Sequence, residues 1–390
     1  MSIASEIQRI QTNIENAYLA CQTMGATMPQ VHNSANLADC IDSIQIGPST
    51  KQRLVSVADN LDNNKLVLYT DDGENWDTAT MPNTRNWGFP FYGNGKFIVT
   101  LFNPTAGQSQ GIYAISEDGI NWTEHTFNIP TGTAHSGWSF CKGVYGNGKY
   151  VLVYSVGGSY AGSGGQTFIF YSSDALNWSN FNLSFNNQLH QPLDIIFDGE
   201  KFVILSADGH VAVSTDAINW TQKSNFESSM PVYSRFTYSN TLTYNPSTST
   251  YSIAIGYYSG SATKEQRVYT TTDLDGTWAK TSLSYSNVLP CASCIINNEV
   301  KFFCGWTSLT TQSAGYINLA SDNTATFVGS SVPRLNYHGG AGVINGIAVV
   351  IAYGSDKYIY STDGSTWTEG TLPASSGWWG SCVGEVDQND

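Results

Sequence analysis

Two hydrophobic periods divide this chain. Over its first 46 residues the apolar positions Ile3, Ile7, Ile10, Ile14, Ala17 and Cys21 fall at alternating spacings of four and three, which places them on one helical seam. Leu37, Ile41 and Ile44 predict a second short helix after a Met24-Gly-Ala-Thr-Met-Pro29 break. Beyond the Gly47-Pro-Ser-Thr50 joint the period drops to two. Short alternating runs, among them Leu66–Tyr69, Ile112–Ile115, Phe168–Tyr171, Val211–Val213 and Tyr358–Tyr360, predict strands. The expected organisation is a helical module over 1–46, a linker over 47–51 and a β body over 52–390.

Each of these strand runs leads into one repeated grammar: a hydroxyl, one residue, an Asp, a small residue, two more, then Trp. The copies are Thr70–Trp76, Ser116–Trp122, Ser172–Trp178, Ser214–Trp220 and Ser361–Trp367, with a longer Thr271–Trp278 and a degraded Ser321–Phe327. An Asp and a hydroxyl that bond locally to the backbone hold a tight turn shut, and Gly supplies a positive φ. Gly73, Gly119 and Gly364 fill that role. In the copies where Ala175 and Ala217 replace the glycine, Asn177 and Asn219 are expected to take the left-handed conformation. The structural residues are therefore Asp72, Trp76, Asp118, Trp122, Asp174, Trp178, Asp216, Trp220, Asp273, Trp278, Asp363 and Trp367.

A second signature alternates with the first. Tyr92-Gly-Asn-Gly-Lys-Phe97, Tyr145-Gly-Asn-Gly-Lys-Tyr150 and Phe197-Asp-Gly-Glu-Lys-Phe202 predict tight hairpins, with looser versions at Tyr244–Tyr251, Ile296–Phe302 and Val343–Ala348. Six hairpins between seven Asp turns give four antiparallel strands per unit, which is a propeller blade. The missing seventh inner strand is expected from the C-terminal Gly377-Trp-Trp-Gly-Ser-Cys-Val-Gly384, paired with a blade whose other strands come from residues 52–82. The predicted fold is thus mainly β: a seven-bladed β-propeller closed by pairing its N- and C-terminal strands, behind a short N-terminal α-helical module.

The Asp turns resemble the Asp-box, or BNR repeat, of sialidases and other β-propellers. In that family the boxes are structural and lie away from the catalytic face. The run Ser2–Gln11, then Gly25-Ala-Thr-Met-Pro29, then Leu37, Asp39, Ile41 and Ile44, resembles the N-terminal segment of many bacteriophage virion proteins. That resemblance implies a particle-anchoring or oligomerising module of a fibre or spike protein. Isoleucine at both seam positions favours a trimer, with Ile3, Ile7, Ile10 and Ile14 as the contact; an intrachain helical hairpin is the alternative, and both can hold together. The expected partners are other virion proteins through residues 1–46, with a virion location.

Composition narrows the rest. Seventeen Lys and Arg against 31 acidic residues give a formal charge of −14, which argues against nucleic-acid and anionic-membrane surfaces. No run approaches the roughly 20 apolar residues of a membrane span, and the N-terminus lacks signal-peptide flanks, so synthesis in a host cytoplasm is expected. Seven cysteines without framework spacing suit buried thiols, Cys291-Ala-Ser-Cys294 among them; no metal or cofactor is expected.

Strand order sends the Asp turns and hairpins to one face and the long, varied loops to the other, including Asn103–Gly111, Gly157–Gly165, Tyr258–Glu265 and Thr307–Gly315. Binding resides in variable loops on rigid scaffolds. The ligand candidates are Trp138, Trp379, Tyr160, His135, His190, Arg235, Arg334, Tyr337 and His338, an aromatic and polar set suited to host surface carbohydrate. Trp87, Trp138 and Trp378, at matching strand starts, are expected to pack between blades. A sialidase-like hydrolase is the alternative, resting on Arg85, Arg235 and Arg334, with Glu227, Tyr233 or Tyr337 as partners. The family's Phe-Arg-Ile-Pro strand is absent, and no catalytic pair is assigned. A structural decoration without ligand is the third reading.

Overall fold

The computed structural model describes residues 3–23, 26–42, 50–58, 65–101, 110–130, 141–156, 166–183, 192–206, 209–227, 241–259, 262–284, 288–306, 315–329, 338–388 and 390. The chain divides into two compact units, Gln52–Val386 and a second made of Met1–Lys51 with Asp387–Asp390. The larger is a seven-bladed β-propeller, seven four-stranded antiparallel sheets in the described residues. Blades 2 to 7 span 91–128, 141–183, 192–222, 243–283, 288–328 and 338–376. In blade 1 the C-terminal strand Trp378–Asp387 is innermost, followed by Thr50–Ala58, Leu66–Thr70 and Asp77–Thr80. The ring closes as the strand count required, and the first strand begins within the expected linker.

The local chemistry of both repeated turns is visible. Asp72 accepts the backbone N–H of Glu74 at 2.9 Å and of Asn75 at 2.7 Å, and the Asn75 amide donates to its second oxygen at 2.7 Å. The same pattern recurs at Asp118, Asp174 and Asp216. The hairpins are two-residue turns: Asn94 and Asn147 stand at φ 45° and Asn345 at 49°, each followed by a glycine at positive φ.

Three expectations need correction. Ala175 and Ala217 themselves hold the left-handed conformation, at φ 63° and 65°. Asn177 and Asn219 cannot, because their backbone N–H and side-chain amide are both committed to the Asp. In the degraded copy, Asp322 rather than Asn323 accepts the N–H of Thr324, at 2.8 Å, while Asn323 takes φ 66°. The Asp has moved one residue toward the N-terminus in a shorter turn. Lastly, Tyr258–Glu265 is no long loop: the strands Thr250–Ser259 and Ala262–Thr271 extend into it, with a bulge at Tyr257/Tyr258.

Contacts between blades repeat as regularly as the blades. Tyr113, Tyr316 and Tyr358 each donate a phenol hydrogen to a carbonyl in the next blade's Asp turn: Ala175, Gly364 and Glu74. Hairpin asparagines do likewise, Asn147 to Thr215, Asn297 to Asp363 and Asn345 to Asp71. Blade 1 has chain ends instead of a hairpin, and there Arg53 substitutes. It is 1% exposed, grips Asp71 at 2.6 and 2.9 Å and donates to the Asp118 carbonyl of blade 2 at 2.7 Å. One arginine therefore ties blade 1 to its neighbour where the sequence repeat is interrupted.

The smaller unit contains α1 (Ile3–Thr23) and α2 (Leu37–Asp42). Tyr18, Cys21 and Cys40 are buried together, with Ile14, Ala26, Met28 and Leu37 around them. Tyr18 donates to the Asn33 carbonyl at 2.8 Å and stacks on His32 at 4.3 Å. Ile3, Ile7 and Ile10 remain 83%, 53% and 49% exposed. The helical hairpin thus uses the C-terminal half of the seam and leaves the N-terminal half without cover in the single chain.

Candidate functional site

Antiparallel order puts the Asp turns and hairpins on one face and the blade-to-blade links and second-to-third-strand loops on the other. The first face is committed to holding the ring, since its polar groups bond within a turn or to the next blade. The second face carries the candidate site. Of the ligand candidates, His135, Trp138, Tyr160, His190, Arg235, Arg334 and Tyr337 lie outside the described residues, as does Tyr233. His338 opens the inner strand of blade 7, and Trp379 stands in the inner strand of blade 1.

Two of the three tryptophans expected to pack are buried, and Trp138 lies outside the described residues. Trp87 and Trp378 are both 0% exposed. The Trp87 indole donates to the Asn83 carbonyl and the Trp378 indole to the Ser355 carbonyl, each at 3.2 Å. Next to Trp378, the Gly339 and Gly340 backbone approaches so closely that an added Cβ would stand 1.9 Å from the Trp378 carbonyl oxygen or 2.3 Å from Ser381 Oγ. Two glycines therefore admit the closing strand at the seam between blades 7 and 1. Ser56 donates to the Gly380 carbonyl at 2.8 Å on the other side.

The charged groups of the described links are already paired. Arg85 forms a two-pronged bond to Glu124, 2.7 Å on each arm, and Asn83 joins at 3.0 Å. The guanidinium holds the Glu124 carboxyl below its ordinary range against the opposing effect of burial. Glu227 accepts from Tyr269 at 2.8 Å and from Lys280 at 3.2 Å, with Arg267 at 3.6 Å. Burial first, and Glu227 second, push the Tyr269 phenol above its ordinary range. A Tyr–Glu pair with a nearby arginine suggests a glycosidase nucleophile, but Tyr269 is 0% exposed, and no sugar reaches it. Arg85 and Glu227 are thus both held in ion pairs within the described residues.

The inner strands hold a feature that sequence reading missed. Lys142 of blade 3 and Asp194 of blade 4 form an ion pair at 4% and 2% exposure. Asp194 also accepts the N–H of Ile195 at 2.8 Å and of Leu242 at 3.0 Å, while the Lys142 ammonium lies 5.3 Å from the Phe89 ring. Burial lowers Lys142 and raises Asp194, and each opposes the other's shift. Four successive blades are tied at one level. The signal was available: each charge interrupts an apolar run three residues before the hairpin aromatic, Tyr145 or Phe197. Nearby, a cavity of about 320 Å³ is lined by Ile196, Phe197, Leu242, Tyr244, Cys294 and Ile295, with Thr243 and Ser293. Its walls carry no charge to orient an ionic ligand. Among the described residues no group of three or more His, Cys, Asp and Glu is disposed to hold a metal ion. Cys294 and Cys304 are core residues, and burial pushes the Cys294 thiol up to about 12.

Fold and faces define the class: a seven-bladed Asp-box-like propeller with one locked face and one face of loops. Structural comparison agrees at the level of fold. A functionally unknown protein from Desulfotomaculum acetoxidans superposes with a TM-score of 0.53 at 12% identity, over 86% of this chain and 98% of that one. YCF48 bound to a D1 peptide gives 0.50 at 12% identity, over 80% and 86%. An exo-β-1,3-galactanase from Phanerochaete chrysosporium gives 0.43 at 12% identity, over 86% and 94%. At such identities the likeness concerns fold alone. No protein-family model matches the chain, and no curated protein resembles it in sequence.

Proposed function

We propose that this chain is a bacteriophage virion component of the fibre or spike type. Residues 1–46 join it to the particle or to copies of itself, with a trimer favoured, and the loop face of the propeller meets a glycan on the host surface. The observation that carries the binding half is the asymmetry of the faces: one is consumed by bonds that hold the ring, and the other bears long, mutually different loops rich in aromatic residues. The anchoring half rests on the order of features in the N-terminal segment and on the three uncovered isoleucines of α1. The hydrolase reading has no assigned catalytic pair, and its nominated Arg85 and Glu227 each already hold a protein partner.

The test is binding of the purified chain to bacterial cells and a glycan array, with release of reducing sugar followed in the same wells. Retention without sugar release is expected, and it should be lost in Trp138→Ala or Trp379→Ala variants whose melting temperatures are unchanged. Sugar release abolished by Arg334→Ala would replace this reading with the hydrolase. Neither retention nor release would leave a structural decoration acting through residues 1–46.

A further inference from the structure

The helical unit brings together two thiols that are distant in sequence. Cys21 sits in the last turn of α1 and Cys40 in α2, at 3% and 2% exposure. The two cysteines belong to one buried cluster, and Cys40 Sγ lies 3.9 Å from Met28 Sδ. Together with Tyr18 they form the buried centre of this unit among the described residues. We propose that Cys21 and Cys40 are a redox pair, closed by thiol–disulfide exchange into an intrachain disulfide that staples α1 to α2.

The chemistry requires a small-molecule disulfide as oxidant. One cysteine thiolate attacks it, forming a mixed disulfide and expelling one small thiolate; the second cysteine then attacks the protein sulfur of that mixed disulfide and expels the other. The two cysteine protons end on the two released thiols, so two electrons pass from protein to reagent. A disulfide needs its two Cβ atoms within about 4 Å, and two cysteines packed in one buried cluster between short helices are placed to reach that separation. Access comes from local opening: α2 is only six residues long, and so short a helix is marginal without its packing. Two propeller thiols are poorer competitors, whereas the partly buried Cys291 and Cys382 are more open to the reagent. Cys294 and Cys304 are buried inside blade 6, where Cys304 Sγ donates to the Phe302 carbonyl at 3.4 Å. The consequence is a helical unit that is hinged in a reducing medium and stapled in an oxidising one. This inference concerns the unit's own thiols and stands whatever the propeller binds.

The experiment uses the full chain in a series of oxidised-to-reduced glutathione ratios, followed by acid quench, alkylation, trypsin and mass spectrometry. No Lys or Arg lies between Arg9 and Lys51, so one tryptic peptide carries both cysteines. That peptide is expected to take no label and to be lighter than its reduced form by about 2 Da, at ratios where Cys294 and Cys304 are still labelled. Cleavage between the helices by a broad-specificity protease such as proteinase K should slow by at least about tenfold on oxidation and recover with reductant. A Cys40→Ser chain should stop at glutathione bound to Cys21. Two labels on the wild-type peptide while a propeller cysteine is consumed would overturn the proposal, as would a covalent dimer through Cys21 or Cys40 on a non-reducing gel. The label count on the wild-type chain decides the matter even if the variant's helices fail to form.

Discussion

At the scale of single residues, the stability of six of the seven blade turns depends on a carboxylate kept charged, at Asp72, Asp118, Asp174, Asp216, Asp322 and Asp363. Burial pushes Asp72 up, but hydrogen bonds from Asn75, Glu74 and Thr70 outweigh it and hold the group at about 2. Asp174 and Asp216 are lowered further, first by the backbone N–H of Asn177 and Asn219 and next by the amides of the same residues. A carboxyl depressed in the folded state stabilises fully above its unfolded pKa of about 3.9, and that stabilisation is lost as pH falls through the folded value. The propeller should therefore keep its near-ultraviolet circular dichroism down to about pH 4 and lose it cooperatively below. An acid transition centred near pH 6 would show that other groups govern it. The turn itself was legible because Asp, hydroxyl and Trp act within seven residues. The left-handed Ala175 and Ala217 were not, because the space around them is set by another blade. At Gly119 an added Cβ would stand 2.7 Å from Val55 Cγ2, whereas Ala175 is buried with its methyl accommodated. Which small residue each turn carries is decided by its neighbour.

At the scale of elements, α1 shows how one apolar seam serves two purposes. Its C-terminal half is spent on α2 through Tyr18 and Cys21, whereas Ile3, Ile7 and Ile10 contact no other part of the hydrophobic centre. The seam was legible from its spacing; its division was not, because Tyr18 lies one place off the seam and is anchored by a carbonyl 15 residues on. Burying an isoleucine is worth about 1.5–3 kcal/mol, so three of them favour a small self-associating contact that two glutamates would abolish. The wild-type chain should sediment as an oligomer, trimer favoured, and Ile7→Glu combined with Ile10→Glu should sediment as a monomer with an unchanged propeller melting temperature. A wild-type monomer at tens of micromolar would remove the self-association half of the reading and leave attachment to a different virion protein. The loop face was legible in another sense: strand order fixed which side the loops occupy, while the positions of Trp138, Arg235 and Arg334 depend on long segments that no local rule dictates.

At the scale of the whole molecule, the ring is a circle of neighbour contacts with one non-covalent joint. Every other blade is a continuous piece of chain, so its four strands follow one another in sequence. Blade 1 is assembled from the two ends, and its inner strand brings Trp378, fully buried, and Tyr92's carbonyl partner Glu385, bonded at 2.6 Å. Arg53, Ser56, Gly339 and Gly340 all serve that joint from other parts of the sequence. Counting hairpins revealed that a strand was missing and where it must come from. The Arg53 clasp and the glycine clearance could not be counted, since the first joins residues 65 positions apart and the second Gly339 and Gly340 to Trp378 and Ser381 in another blade. Closure also removes the two sheet edges that an open ring would expose. A chain ending at Ser376 should therefore lose far more than ten residues' worth of packing: the uncovered strand Thr50–Ala58 becomes a free edge. That chain should unfold at least about 10 °C lower, with a broader transition and concentration-dependent aggregation, because a domain of this size shifts only about 2–4 °C per kcal/mol. Adding back a peptide of residues 377–390 should restore part of the melting temperature, since the missing piece is a strand with its own edge to pair. A truncated chain that melts like the full one would mean that blade 1 holds without its inner strand and that the joint is ornamental.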